Sequence, residues 1–255
     1  MAFKKFTKTV LAVSCLFLTA SLFSGCGTLT EALKEGIKKF QPLTPGSKKA
    51  MSNVAVVSDM GDIFKGEKAG FLRVGDKSFT YDFSEHNVDT SIEEKIVTQM
   101  KSSSDLNVVP RPDLRGLINV NPNNMTHAGY LKQISPLLNQ LRSEGVDTAV
   151  IVIPWISAYK GFSPVLGYGY THGFTTDSYA VKPKELFFYS QINVVDVTNN
   201  KIVLLQYLNR NEDVISSPWN DRFEDFSPEE KQQMTNFVLN VINKDFPDFL
   251  TKMNF

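Results

Sequence analysis

Cysteine is almost missing from this chain, with Cys15 and Cys26 the two in 255 residues, so a framework of disulfides is excluded by count alone. Histidine is nearly as scarce. His86, His127 and His172 show neither His-x-x-x-His nor Glu-x-x-His spacing, which makes them solvated loop residues rather than zinc ligands and implies no metal or other cofactor. There is no Gly-x-Ser-x-Gly elbow and no Ser-x-x-Lys followed by a usable Lys-Thr-Gly, so the sequence gives no basis for nucleophilic hydrolysis and reads as a non-enzyme. Gly167-Tyr168-Gly169 lacks the third glycine of a dinucleotide loop and joins no strand to a helix, which leaves nucleotide binding without support. Neither sign of charge dominates: 27 basic side chains balance 27 acidic ones, and nothing suggests nucleic acid. No apolar run approaches the roughly 20 residues that a membrane-spanning helix needs.

What is present begins at the amino terminus. Lys4, Lys5 and Lys8 precede an apolar run from Val10 to Phe23, and no acidic residue occurs before Gly25. This is the build of an export leader: the charged start stays on the cytoplasmic side while the short apolar run engages the translocation machinery. Leu22-Phe23-Ser24-Gly25-Cys26 resembles the lipobox of bacterial lipoproteins, with Phe23 where leucine is usual. That resemblance implies cleavage between Gly25 and Cys26 and attachment of acyl chains such as palmitate to Cys26. At about 0.8 kcal/mol per buried CH₂, two or three such chains hold a protein on a bilayer permanently. Gly27 follows the cysteine where an aspartate would imply retention in the inner membrane, so the expected address is the outer membrane, facing the periplasm.

Residues 1–25 thus read as leader, 26–49 as a lipidated tether and 50–255 as a single globular domain. With the three leader lysines gone, the charge balance tips slightly acidic. Thr30–Phe40 has helical spacing of Leu33, Ile37 and Phe40, and could pack on the domain or lie in the lipid interface; Gln41–Lys49 contains two prolines, a glycine and a serine, the composition of a linker.

The domain opens with Val54–Val57, a buried strand by its short apolar run. Residues 61–83 suggest a hairpin about Gly75-Asp76. Two overlapping capping boxes, from Thr90 and Ser91, predict a helix burying Ile92, Ile96, Val97 and Met100. Leu106–Pro110 follows as a strand, and Leu117–Val120 could add another. Leu131, Ile134, Leu138 and Leu141 predict a helix that is either kinked at Pro136 or begins at Ser135 and stops at Gly145. Thr148–Ile153 reads as the central strand. Leu186–Val197 and Lys201–Asn209 form a hairpin through Thr198-Asn199-Asn200. Ser227-Pro228-Glu229-Glu230 starts a last helix that buries Met234, Phe237, Val238, Val241 and Ile242. The expected fold is α/β (α+β): one mixed sheet of about five strands with about three helices, in the order β-α-β-α-β-β-β-α.

Four blocks in this order, NVAVVS, LNVVPRPDL, EGVDTAVIVIP and INVVDVTNNKIVLLQ, resemble an envelope lipoprotein superfamily. It includes the curli secretion channel lipoprotein, the penicillin-binding-protein activator lipoprotein and the amino-terminal domain of the Tol translocation protein. The likeness spans residues 53–245. It implies fold and compartment, with binding of partner proteins or assembly into rings, and none of the matched residues is catalytic. Physically the blocks are structural: Gly145 caps a helix, Asp147 begins a strand, and Asp196 can accept hydrogen bonds from the hairpin turn.

One segment invites a functional reading. Phe162, Tyr168, Tyr170, Phe174 and Tyr179 lie in a polar, glycine-rich stretch, 161–179, as rings of a kind that carry energy at interfaces. They either fold back onto the sheet or form a loop that binds a partner protein or a peptidoglycan strand. The acidic pairs Glu93-Glu94, Glu224-Asp225 and Glu229-Glu230 are expected to complement helix dipoles. The function expected is a non-enzymatic binding or assembly factor for cell-envelope components, held on the bilayer by Cys26. Two alternatives remain: a secretion-pore subunit, or an envelope hydrolase with a site gathered from scattered residues.

Overall fold

In the computed structural model, residues 51–69, 76–121, 126–157, 165–174, 181–214 and 223–252 are described. Cys26, the tether, Phe162 and Tyr179 lie outside them. The α/β reading holds, but among the described residues the sheet has nine strands rather than about five. They are β1 (Asn53–Ser58), β2 (Ile63–Ala69), β3 (Lys77–Asp82), β4 (Asn107–Pro110), β5 (Thr148–Pro154), β6 (Ile156–Ser157), β7 (Val165–Phe174), β8 (Val181–Asp196) and β9 (Lys201–Val214). The helices are α1 (Val88–Ser103), α2 (His127–Gln133), α3 (Ser135–Ser143) and α4 (Pro228–Lys252).

The five strands read from sequence are β1, β4, β5, β8 and β9. The extra strands extend that sheet lengthwise. On one side of β8, Ser190–Asp196 pairs with β5 and Val181–Tyr189 pairs with β7, so β5 and β7 lie end to end. Strand β9 covers the other side of β8 for nearly its whole length. In the same way β1 runs parallel to β5, and β2, after a four-residue link, runs parallel to β7. The outermost pairs are β4 beside β1 and the antiparallel β3 beside β2, the latter closing the hairpin expected within 61–83.

Alternation along β1 and β5 divides the core between two faces. Val54, Val56, Val150 and Val152 join α1 and α4 on one face, with Ile92, Ile96, Met100, Phe237 and Ile242. Ala55, Val57, Ala149, Ile151 and Ile153 join α2 and α3 on the other, with Tyr130, Leu137, Leu138 and Leu141. A strand buried on both faces reads as a continuous apolar run, and β5 does so.

Local signals decide several element boundaries. Gly145 has φ +76, the left-handed stop that a side chain disfavours. Asp147 Oδ2 accepts from the backbone N–H of Ser52 and of Asn53, each at 2.9 Å, and so ties the start of β5 to the start of β1. Asp196 accepts from Asn199 N (2.8 Å) and Asn199 Nδ2 (2.7 Å) in the hairpin turn. Ser227 and Glu230 form the capping box of α4: Ser227 N donates to Glu230 Oε2 at 2.7 Å, and Glu230 N to Ser227 Oγ at 3.2 Å.

Helix α4 continues through Pro247, which has no N–H for the carbonyl of Asn243. Gln99 Nε2 from α1 donates to that carbonyl at 3.4 Å, so a side chain of the neighbouring helix supplies the missing donor.

Four expectations need correction. Helix α1 starts at Val88, one turn before Thr90 and Ser91, because Asn87 turns the chain at φ 47 and Asp89 is drawn into a hydrogen-bonded link described below. Leu117–Val120 is not a strand: Pro112–Leu117 forms a 3-10 turn and Ile118 packs into the core. The segment around 131–145 holds two helices rather than one: α3 begins at Ser135 with Pro136 in its first turn, the second of the two alternatives expected, and Leu131 belongs to a separate helix, α2, joined to it through Ile134. Finally, the 161–179 segment is not wholly loop, because Val165–Phe174 is strand β7.

Candidate functional site

The structure removes two of the five singled-out rings from any surface. Tyr168 and Tyr170 are each 1 % exposed and belong to the core beneath the sheet. The Tyr168 ring packs 5.9 Å from Phe64 and its hydroxyl donates to the Gly61 carbonyl at 2.7 Å. Tyr170 meets Phe226 edge-on at 5.9 Å. Phe174 ends β7 opposite Val181 of β8.

The reason lies in the glycines between the tyrosines. Gly167 stands opposite Tyr189 and Gly169 opposite Phe187 across the β7–β8 ladder. Tyr189 and Phe187 stack 5.1 Å apart on the face away from Tyr168 and Tyr170. A Cβ built on Gly169 would stand 2.0 Å from the Lys65 carbonyl oxygen and 2.7 Å from Phe187 Cζ. Glycine therefore admits both a close neighbouring strand and the aromatic ring laid over it, a cross-strand arrangement known as aromatic rescue.

The carboxyl ends of β1 and β4 form the crevice where an open α/β sheet most often binds a ligand, because α1 leaves on one face and α2 and α3 on the other. Four ionisable residues, Asp59, Asp89, Glu93 and Arg115, gather there. Asp89 accepts from Ser58 Oγ, from Met60 N at 2.8 Å and from Gly61 N at 3.0 Å. Glu93, fully buried, accepts from Ser58 N at 2.9 Å and pairs with Arg115, whose Nη2 lies 2.8 Å from Oε2. Arg115 Nη2 also donates to Thr90 Oγ1 at 3.0 Å. Most of these acceptors are thus spent on holding the β1–β2 link against α1.

Asp59 differs from them. Burial first, then the charge of Asp89, pushes its carboxyl up to about 6, with Arg115 opposing. Burial raises Glu93 as well, against the Arg115 hydrogen bond. Glu93 and Asp89 act here as fasteners, a role that the expectation of helix-dipole partners did not capture for Glu93.

The histidines do not converge. His86 stacks 4.0 Å over Phe83 and its Nδ1 lies 2.9 Å from Thr235 Oγ1. His127 opens α2, and His172 occupies β7. Among the described residues no group of three or more histidine, cysteine or carboxylate side chains could hold a metal ion.

Two surface features stood outside the sequence reading. An open cleft of about 510 Å³ lies between β9 and the start of α4, lined by Glu212, Glu229, Gln232, Asn236 and Phe237 among others. Beside it in the chain, though presented differently, Tyr207 of β9 is 43 % exposed and its ring centroid lies 4.5 Å from that of Trp155. The sequence signal for this pair was available: Tyr207 is a large ring within the uncharged run Ile202–Leu208, and Trp155 directly follows the central strand.

No family model matches the chain, and no curated protein matches it. Among solved structures it is similar to the PelC dodecamer from Paraburkholderia phytofirmans, at 10% identity over 80% of this chain and 91% of that one, with a TM-score of 0.32. It is similar to lipoprotein GNA1162 from Neisseria meningitidis at 14% identity, over 75% of this chain and 98% of that one, with a TM-score of 0.31. The hypothetical protein CT253 from Chlamydia trachomatis gives 14% identity over 76% and 96%, again at 0.31. Overlaps this loose carry no argument about what the chain does.

Proposed function

We propose that this chain is a lipid-anchored envelope protein of the outer membrane, facing the periplasm, that binds or helps assemble other envelope components without catalysing a reaction. The observation that carries the proposal is Leu22–Cys26, a lipobox ending on the cysteine that becomes the first mature residue. Acyl chains there fix the chain to a bilayer, and the domain works within reach of that surface. The commitment of Asp89, Glu93 and Arg115 to structural hydrogen bonds supports a non-enzymatic role, because the crevice where chemistry is most often found is used to fasten the fold. The partner is another envelope protein or a peptidoglycan strand.

Metabolic labelling with an alkyne analogue of palmitate tests the anchor. The wild-type protein should take up the label and Cys26→Ala should not; an unlabelled wild type, or label persisting on Cys26→Ala, overturns it. The non-enzymatic half is tested by incubating the acylated protein with purified peptidoglycan. Soluble fragments that accumulate with wild type and cease with Asp59→Asn would defeat it.

A further inference from the structure

The link between β1 and β2 is a strap, residues 59–62, laid across the mouth of the crevice. Its two ends are tied to backbone. Asp59 N donates to the Val152 carbonyl of β5 at 2.8 Å, and the Asp62 carbonyl accepts from Phe83 N at 2.7 Å. Its middle is tied to side chains instead. Met60 N and Gly61 N donate to Asp89 of α1, one to each carboxylate oxygen, at 2.8 and 3.0 Å, while the Gly61 carbonyl accepts from the Tyr168 hydroxyl. Gly61, at φ +79, supplies the left-handed bend of this turn. Met60 is 6 % exposed beneath the closed strap.

The strap closes against its own charge. Among the described residues, the exposed Asp62 adds a fourth carboxylate to Asp59, Asp89 and Glu93, and these face the guanidinium of Arg115. Glu93 already holds that guanidinium at 2.8 Å. Neighbouring carboxylates that outnumber the cations between them do not all ionise freely. Asp89 and Glu93 accept hydrogen bonds from the backbone around the strap, whereas among the described residues none donates to the carboxyl of Asp59. Asp59 is half-buried, so it has neither full solvent nor a partner for its charge.

Movement of the strap relieves both conditions together. Lifting 59–62 off α1 carries Asp59 into water and away from Asp89, and water replaces the hydrogen bonds at Met60 N, Gly61 N and the Gly61 carbonyl.

We infer that 59–62 is a proton-operated strap over the crevice, closed on α1 while Asp59 carries a proton and released more readily once Asp59 is an anion. Release frees Asp89 and the Tyr168 hydroxyl and uncovers Met60, so access to the crevice follows the pH around the protein. The closed state binds the Asp59 proton more tightly than the open one, because burial and then the charge of Asp89 raise this carboxyl to about 6 from 3.8. Closure is therefore fully favoured below the ordinary carboxylate value and weakens as pH rises through about 6. The inference goes beyond the binding role proposed above and depends on neither the anchor nor a partner.

Hydrogen exchange of the full acylated chain in detergent tests it, read at the amides of Met60 and Gly61. Corrected for the base catalysis of exchange itself, the opening equilibrium at these two amides should rise about tenfold from roughly pH 5 to roughly pH 7.5. Release of a short strap exposes little surface, so low urea should leave that opening unchanged. Val150, paired on both sides in the sheet, should instead be better protected and should lose protection with urea, since it exchanges through global unfolding. Asp59→Asn removes the charge and should keep Met60 and Gly61 equally protected at both pH values. The wild-type profile decides by itself if that variant fails to fold. An opening that does not change with pH, or a rise that survives Asp59→Asn, overturns the inference. So does protection at Met60 and Gly61 that equals that of Val150 and shares its urea dependence, because the strap then opens only when the whole domain does.

Discussion

The two ends of the sheet are built by opposite rules. At one end β4, β1, β5 and the second half of β8 are covered by helices on both faces, and the strands are aliphatic: Val54, Val56, Val150, Val152 and Ile192 on one face, Ala55, Val57, Ile151 and Val195 on the other. At the other end β3, β2, β7 and the first half of β8 rely on rings. Phe64, Tyr81, Phe83, Tyr168, Tyr170 and Phe188 fill one face, and Phe187 and Tyr189 lie over glycines on the other. Aliphatic strands need helices to complete a close-packed layer, whereas large rings fill space across strand neighbours with less help. The cost of the second solution is a backbone that tolerates no side chain at Gly169.

The sharpest way to break the comparison is Gly169→Val. Its Cβ would fall on the Lys65 carbonyl, which is backbone and cannot turn aside. Far-ultraviolet circular dichroism in a urea titration should show no cooperative transition; a wild-type-like midpoint would mean that β2 and β7 are not so close. Next comes a contrast between two tyrosines on the same sheet. Tyr168→Ala empties a core site and should cost about 3–5 kcal/mol, while Tyr207→Ala, on the surface, should change stability by less than about 1 kcal/mol. Equal losses would erase the distinction between the core ring and the surface ring.

Ser227→Ala probes the helix-covered end. It removes the oxygen that accepts from Glu230 N and should lower stability by about 1 kcal/mol. The smallest expected effect is in pH dependence. Because Asp59 is raised to about 6 from 3.8, the folded chain holds that proton more tightly than the unfolded chain. The Asp59 contribution to stability is therefore fully present below the unfolded value and is lost as pH rises through about 6. Asp59→Asn should flatten the stability profile across that window and leave the wild type the less stable of the two at neutral pH. An unaltered slope would show that Asp59 is not held in this way.

Much of the helix-covered end could be read from sequence because its signals are local. Gly145, Asp147, Asp196 and the Ser227–Glu230 box each fix a boundary through neighbours within a few residues or through a single strand start, and their roles are those expected. The ring-filled end was less legible. The alternation of glycine and tyrosine in 167–170 has the composition of a loop, and its meaning comes from Tyr189 and Phe187, some twenty residues away, and from the Lys65 carbonyl, a hundred away.

The site residues divide in the same manner. Thr90 and Ser91 carried capping signals, yet Asn87 begins α1, because Asp89 is pulled to the link after β1 and Glu93 to Arg115. Those attachments span 22 to 35 residues and leave no periodic trace. Trp155 and Tyr207 likewise meet only when β5 and β9 flank β8.

The central claim is that the chain works from a bilayer through its acylated amino terminus. Intact-mass spectrometry of the protein extracted from its native envelope tests it directly. The account predicts a mass equal to residues 26–255 with a diacylglyceryl group on Cys26 and a further acyl chain on its amine. A mature terminus without lipid, or a chain still carrying Met1–Gly25, would contradict it.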